Sequence, residues 1–229
     1  MPNENLEKFI SRYGLKNYPL HEAVISGELK RVKSKLKEGF DQSHTLPDGD
    51  TALHVAAICG LPEIVSCLIQ NSSDVNSVER ERFSPLHFAV TSNFRFREYC
   101  PVEPDTSSRL ECCRLLIAAG ANLDIRGGIG QTPLHLAVQS QDLPVIELLL
   151  DHGASVTVRD RDGCTPLHYA CNCAKPDVFE VLLRFGANPQ AKTKDGKRVI
   201  ELLDLDEDSF ATEEARIKSL LLASSDYSP

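Results

Sequence analysis

Histidine and cysteine are the side chains in this sequence best able to bind a metal or attack a substrate, so their spacing decides what chemistry is open. Five of the seven histidines, His21, His54, His87, His135 and His168, follow one another at intervals of 33, 33, 48 and 33 residues. Side chains dealt out so regularly, each in the same local context, cannot converge on one metal ion or one substrate. The eight cysteines, Cys59, Cys67, Cys100, Cys112, Cys113, Cys164, Cys171 and Cys173, are irregularly spaced. They lack the paired Cys-x-x-Cys arrangement of a zinc site, and they do not look like a secreted disulfide framework. They read as reduced thiols of the cytosol or nucleus. Gly127-Gly128-Ile129-Gly130 resembles a fragment of a phosphate-cradling loop, but no lysine or nucleotide motif follows it, and it reads as a turn. No constellation supports catalysis, and no cofactor or metal is expected.

The histidines matter for the elements around them. Asp162-Gly163-Cys164-Thr165-Pro166-Leu167-His168-Tyr169-Ala170 recurs at Asp48–Ala56 and, from its second residue on, at Gly130–Ala137. Weaker copies run through Phe83–Ala89 and Tyr18–Ala23. Thr51, Ser84, Thr132 and Thr165 are good helix N-caps, and a proline at the first helical position loses no hydrogen bond. The histidine three residues on can bond back to the cap, as glutamate does in a capping box. Second helices follow at Glu63–Ile69, Val145–Leu150 and Val178–Leu183, apolar at helical spacing. Each stops at a glycine or its equivalent, Ser73, Gly153 and Gly186, and Gly120 stands at the same point of the repeat between the first two. A unit of turn, helix, turn, helix and hairpin cannot bury its own apolar face, so it must stack.

The 33-residue period with its Thr-Pro-Leu-His-x-Ala pattern resembles the ankyrin repeat family, over about Tyr18 to Leu222. The resemblance implies an all-α fold: an ankyrin-repeat solenoid of stacked helix-turn-helix units with β-hairpin loops and degenerate capping repeats at both ends. Its repeats would span 16–45, 46–78, 79–126, 127–159, 160–192 and 193–222. A capping helix precedes them at 1–15 and a short tail follows at 223–229. The family binds other proteins through hairpin tips and first helices. By register those positions are Asp48, Asp50, Ile58, Arg80, Phe83, Thr91, Ile129, Gln131, Gln139, Arg161, Asp162 and Asn172, with Phe83, beside Arg80 and Arg82, as the expected exposed anchor. Asn76 resembles the hairpin asparagine that is hydroxylated in some members of the family.

The 48-residue interval leaves an insert at 93–107 between the two helices of one repeat. It carries Phe94, Arg95, Phe96, Arg97 and Tyr99. Aromatic and arginine side chains dominate interface hot spots, and long loops are functional or disordered. Binding, packing onto the neighbouring repeat and disorder all stand open. The net charge of −8 argues against nucleic acid or an anionic membrane as the main partner. No signal-peptide run or spanning segment is present in the sequence. The reading is a non-catalytic, monomeric scaffold or adaptor with a protein partner, placed by its reduced thiols in the cytoplasm, with the nucleus as a second compartment open to it. Two other readings are an inhibitor of a transcription factor, resembling the IκB group, and a thiol- or metal-based sensor. Metal analysis of the purified chain is expected to find no stoichiometric zinc; one zinc per chain would revive the sensor.

Overall fold

The structure is a computed structural model and describes residues 15–91, 100, 104–171, 175–203 and 211–223. All but the last residue of the capping helix expected at 1–15, and the residues Phe94, Arg95, Phe96, Arg97, Tyr99 and Asn172, lie outside them. The chain divides into two compact units, Met1–Asn122 and Leu123–Pro229.

The first unit begins with a 3-10 turn, Leu15–Asn17. Helices α1 (Pro19–Ile25), α2 (Leu29–Lys37), α3 (Ala52–Ile58), α4 (Pro62–Gln70), α5 (Pro85–Val90) and α6 (Thr106–Ala118) follow. First helices stack on first helices (α1 on α3, α3 on α5), and second helices do the same (α2 on α4, α4 on α6). The second unit holds α7 (Pro133–Ser140), α8 (Leu143–Asp151), α9 (Pro166–Ala170), α10 (Pro176–Arg184), α11 (Val199–Leu202) and α12 (Ala211–Ala223). There α7 stacks on α9 and α9 on α11, while α8 stacks on α10 and α10 on α12. Twelve helices and no strand occur among the described residues, and isolated bridges such as Gly127 to Gln131 close the hairpins. None of these helices is long and apolar enough to cross a membrane.

The motif residues do local work. Thr51, Ser84, Thr132 and Thr165 cap α3, α5, α7 and α9, each in a capping box completed by the histidine. In the degenerate last repeat a carboxylate takes the histidine's place: Glu201 accepts the Arg198 N–H at 2.7 Å and pairs with its guanidinium. One stop signal shifts by a residue. The left-handed position closing α4 is Ser72, at φ +73°, where the other repeats have Gly120, Gly153 and Gly186; Ser73 follows it.

The cap leaves each imidazole one free nitrogen. In His54, His87, His135 and His168, Nδ1 accepts the backbone N–H of the cap residue, at 3.1 to 3.2 Å. A backbone N–H can only donate, so in His54, His135 and His168 the ring proton sits on Nε2. From there it is given to the next repeat: His54 to the Phe83 carbonyl (3.1 Å), His135 to that of Cys164 (3.2 Å) and His168 to that of Ala191 (3.1 Å). His21 Nε2 lies 3.0 Å from the Asp50 carbonyl in the same way.

Burial disfavours a charged ring and holds His21, His54 and His135 down at about 4, against the usual 6.5, despite the carbonyls that pull the other way. Between pH 6.5 and 4 the unfolded chain therefore takes up protons that the folded chain refuses. Stability present above pH 6.5 is lost as pH falls toward 4. At about 1.4 kcal/mol per pKa unit, the loss from pH 7 to 5 is on the order of 2 kcal/mol per histidine. Urea titrations should show a midpoint constant from pH 8 to 7 and falling by pH 5. A flat profile down to pH 5 would contradict the neutral bridge.

Candidate functional site

Hairpin tips are the part of each repeat that projects beyond its helices, and backbone contacts set how they stack. In the first unit Arg80 N–H donates to the Asp48 carbonyl at 3.1 Å. In the second, Arg161 N–H donates to Ile129 at 2.7 Å and Lys194 N–H to Asp162 at 2.8 Å. The approach leaves no room for a side chain: a Cβ on Gly163, which has φ +80°, would stand 2.9 Å from the Lys194 nitrogen. Buried acids brace the same turns. Glu79 accepts the N–H groups of Glu81 and Phe83, and Asp160 those of Asp162 and Cys164, all at 2.8 to 2.9 Å.

This scaffold sorts the expected contact residues. Asp48, Arg80, Gln139, Arg161 and Asp162 are exposed, Ile129 is 46% exposed, and Gln131 is half-buried. Four expectations of exposure are corrected. Asp50, Ile58, Phe83 and Thr91 are all buried, at 4%, 2%, 6% and 5% exposure. All seven residues of α3 are buried, because so short a helix is covered by α1, α5 and its own partner α4, and Ile58 ends it. Phe83 turns inward. Its ring meets the edge of His87 at 5.3 Å, its N–H is held by Glu79, and its carbonyl takes the His54 proton. It is a core residue and no anchor. Thr91 closes α5 from within the stack.

Tyr169 was missed by register. It stands half-buried on α9, and its hydroxyl donates to Asp160 at 2.8 Å while accepting from Gln131 Nε2 at 3.0 Å. Burial and the neighbouring carboxylate push its phenol well above the usual range. The one available signal was an aromatic ring immediately after the motif histidine.

Asn76 is exposed, but its side chain is engaged. Oδ1 accepts the Asn122 N–H at 2.7 Å and Nδ2 donates to the Gly120 carbonyl at 3.1 Å, tying one hairpin to the next. Asp124, in the same register, takes the Ser155 N–H at 3.0 Å. The 93–107 insert falls between α5 and α6, and its last residues, Thr106 and Ser107, belong to α6, capped by Asp105. Among the thiols, Cys67, Cys112, Cys113 and Cys171 are buried, and burial pushes Cys112 up to about 12. The Cys59 thiol is raised by its hydrogen bond to Cys100 and by burial. Among the described residues no three His, Cys, Asp or Glu side chains are grouped to hold a metal ion.

A family model for ankyrin repeats, in three copies, matches residues 20–99 and 106–193, and a single-repeat model matches 81–128. The Nuclear factor NF-kappa-B p105 subunit of Gallus gallus is 33% identical over 150 residues, 63% of this chain and 14% of its own length. The NF-kappa-B inhibitor delta of Mus musculus is 30% identical over 139 residues, 56% of this chain and 42% of its own. The RelA-associated inhibitor of Mus musculus is 41% identical over 75 residues, 32% of this chain and 9% of its own. The chain thus spans less than half the length of each of these relatives.

Burial separates the two best apolar candidates in a way stability reads directly. Phe83→Ser should cost about 3 kcal/mol, through lost packing and an added polar group. Ile129→Ser should stay within about 0.5 kcal/mol of the parent in the same denaturant titration. A tolerated Phe83→Ser would return that residue to the surface.

Proposed function

The chain belongs to the ankyrin repeat family, and from that premise we propose that it is a non-catalytic scaffold or adaptor that recognises a partner protein. The observation that carries this reading is the division of labour at the hairpins. Backbone amides, buried acids and imidazoles hold the tips together, while Asp48, Arg80, Ile129, Arg161 and Asp162 project outward and take no part in the core. Side chains that the fold does not use are where partner identity can be written. Gln131, Gln139 and Asn172 extend that set by register, and the insert residues Phe94, Arg95, Phe96, Arg97 and Tyr99 are a second candidate contact. Reduced thiols and the absence of a spanning helix among the described residues support a site of action in cytoplasm or nucleus.

A second reading narrows the partner. The p105 subunit and the two inhibitors are similar to parts of this chain, which favours an inhibitor acting on a transcription factor of the Rel type. One experiment addresses both. Affinity capture from native cells with the parent chain, and with Ile129→Ser/Arg161→Glu, should return a protein that the variant loses. A Rel-type subunit in that position supports the narrower reading. Identical capture by both baits would show that these side chains do not make the contact.

A further inference from the structure

We propose that the hairpin edge of the second unit docks an acidic segment of a partner protein, with one apolar side chain of that segment seated on Ile129. The proposal rests on the scaffold reading and names the chemistry of its partner. Its basis is register. Arg126, Arg159 and Lys192 occupy one position of three successive hairpins, and Arg161 and Lys194 occupy another, where the first of the three has Gly128. Lys197 stands at the position of Gln131 and Cys164. All six cations are exposed.

Four nearby acids, Asp124, Asp160, Asp162 and Asp195, stand against the six cations and leave an excess of positive charge. Asp160 is buried and engaged by two backbone N–H groups and the Tyr169 hydroxyl, and Asp124 is held by Ser155. Asp162 and Asp195 remain exposed among the cations. Arg198 is paired with Glu201, and the Arg159 guanidinium is fixed by the carbonyls of Gly163 and Lys192 at 2.9 and 2.5 Å. Arg161, Lys192, Lys194 and Lys197 enter no salt bridge among the described residues. A chain of net charge −8 thus gathers unpaired positive charge on one edge. Like charges within a Debye length, about 8 to 10 Å, raise one another's energy, and a carboxylate-bearing segment relieves that.

The apolar component is equally local. Ile129 is 46% exposed, and its carbonyl receives the Arg161 N–H, so the two residues are neighbours on adjacent tips. Gln131, held to Tyr169, lies two residues further along the same hairpin. A single apolar contact beside Arg161, on an edge that carries further cations, selects a segment in which Asp and Glu flank one leucine-like residue.

The test uses the full chain and fluorescein-labelled peptides in anisotropy titrations. One peptide has Asp and Glu around a central leucine, a second replaces the acids with Asn and Gln, and a single-stranded DNA oligonucleotide is the third probe. The acidic peptide should bind, and weaken about tenfold or more between about 50 and 300 mM salt. Arg161→Glu/Lys194→Glu should weaken it by a similar factor, Arg161→Gln/Lys194→Gln by less, and Lys37→Glu, on α2 of the first unit, not at all. All of these positions are exposed, and an unchanged thermal transition confirms folding. Equal binding of the neutral peptide, affinity unchanged by charge reversal, absence of peptide binding, or tighter binding of the oligonucleotide would each overturn the proposal. The scaffold reading is judged separately: a captured protein lost on Ile129→Ser/Arg161→Glu keeps it standing even if the acidic peptide fails.

Discussion

In the well-formed repeats a neutral imidazole joins local to long-range structure. His54, His135 and His168 accept the N–H of their own helix cap and donate to a carbonyl of the next repeat. The same ring therefore starts a helix and positions its neighbour's hairpin. Each bond is worth about 1 kcal/mol net, but a buried carbonyl or ring nitrogen left without its partner costs about 1 to 3 kcal/mol. Stacking and capping are thus coupled. A repeat whose neighbour is missing loses both its apolar cover and the acceptor for its histidine.

That coupling decides which residues are free for recognition. Helices as short as α5, six residues, and α9, five residues, are too short to be stable alone and gain their order from the stack. Their side chains are consequently consumed by the core, as Phe88 and Leu167 are, at 1% and 0% exposure. At the hairpin tips the backbone makes the contacts, and side chains such as those of Arg80 and Arg161 stay exposed. Gly163 shows the constraint from the other side, because the neighbouring backbone fills the space its side chain would need.

The parts legible in the sequence were those set by short-range grammar. Thr, Pro and His at fixed offsets specify a cap whatever lies elsewhere, and the apolar spacing of α8 or α10 specifies a buried face. The parts that escaped depend on neighbours. Register placed Phe83, Ile58 and Thr91 at tip and helix-end positions, but whether a side chain turns out or under is decided by the adjoining repeat. Asp160 and Glu79 escape notice in the sequence because an acid five residues before a cap reads as solvent-facing. Only the closed hairpin shows it bonded to two amides. Ser72 went unrecognised for a related reason: a left-handed serine has no signature that its neighbour Ser73 lacks.

The central claim is that residues spent on stacking and residues free for a partner form separate sets. Hydrogen–deuterium exchange of the full chain, alone and with its captured partner, tests it most directly. The account predicts partner-dependent protection at hairpin segments such as 47–50, 80–82, 128–131 or 161–164. The outward second helices, Leu29–Lys37 and Pro62–Gln70, should be unchanged. Protection confined to those helices, with the hairpins unaffected, would contradict it.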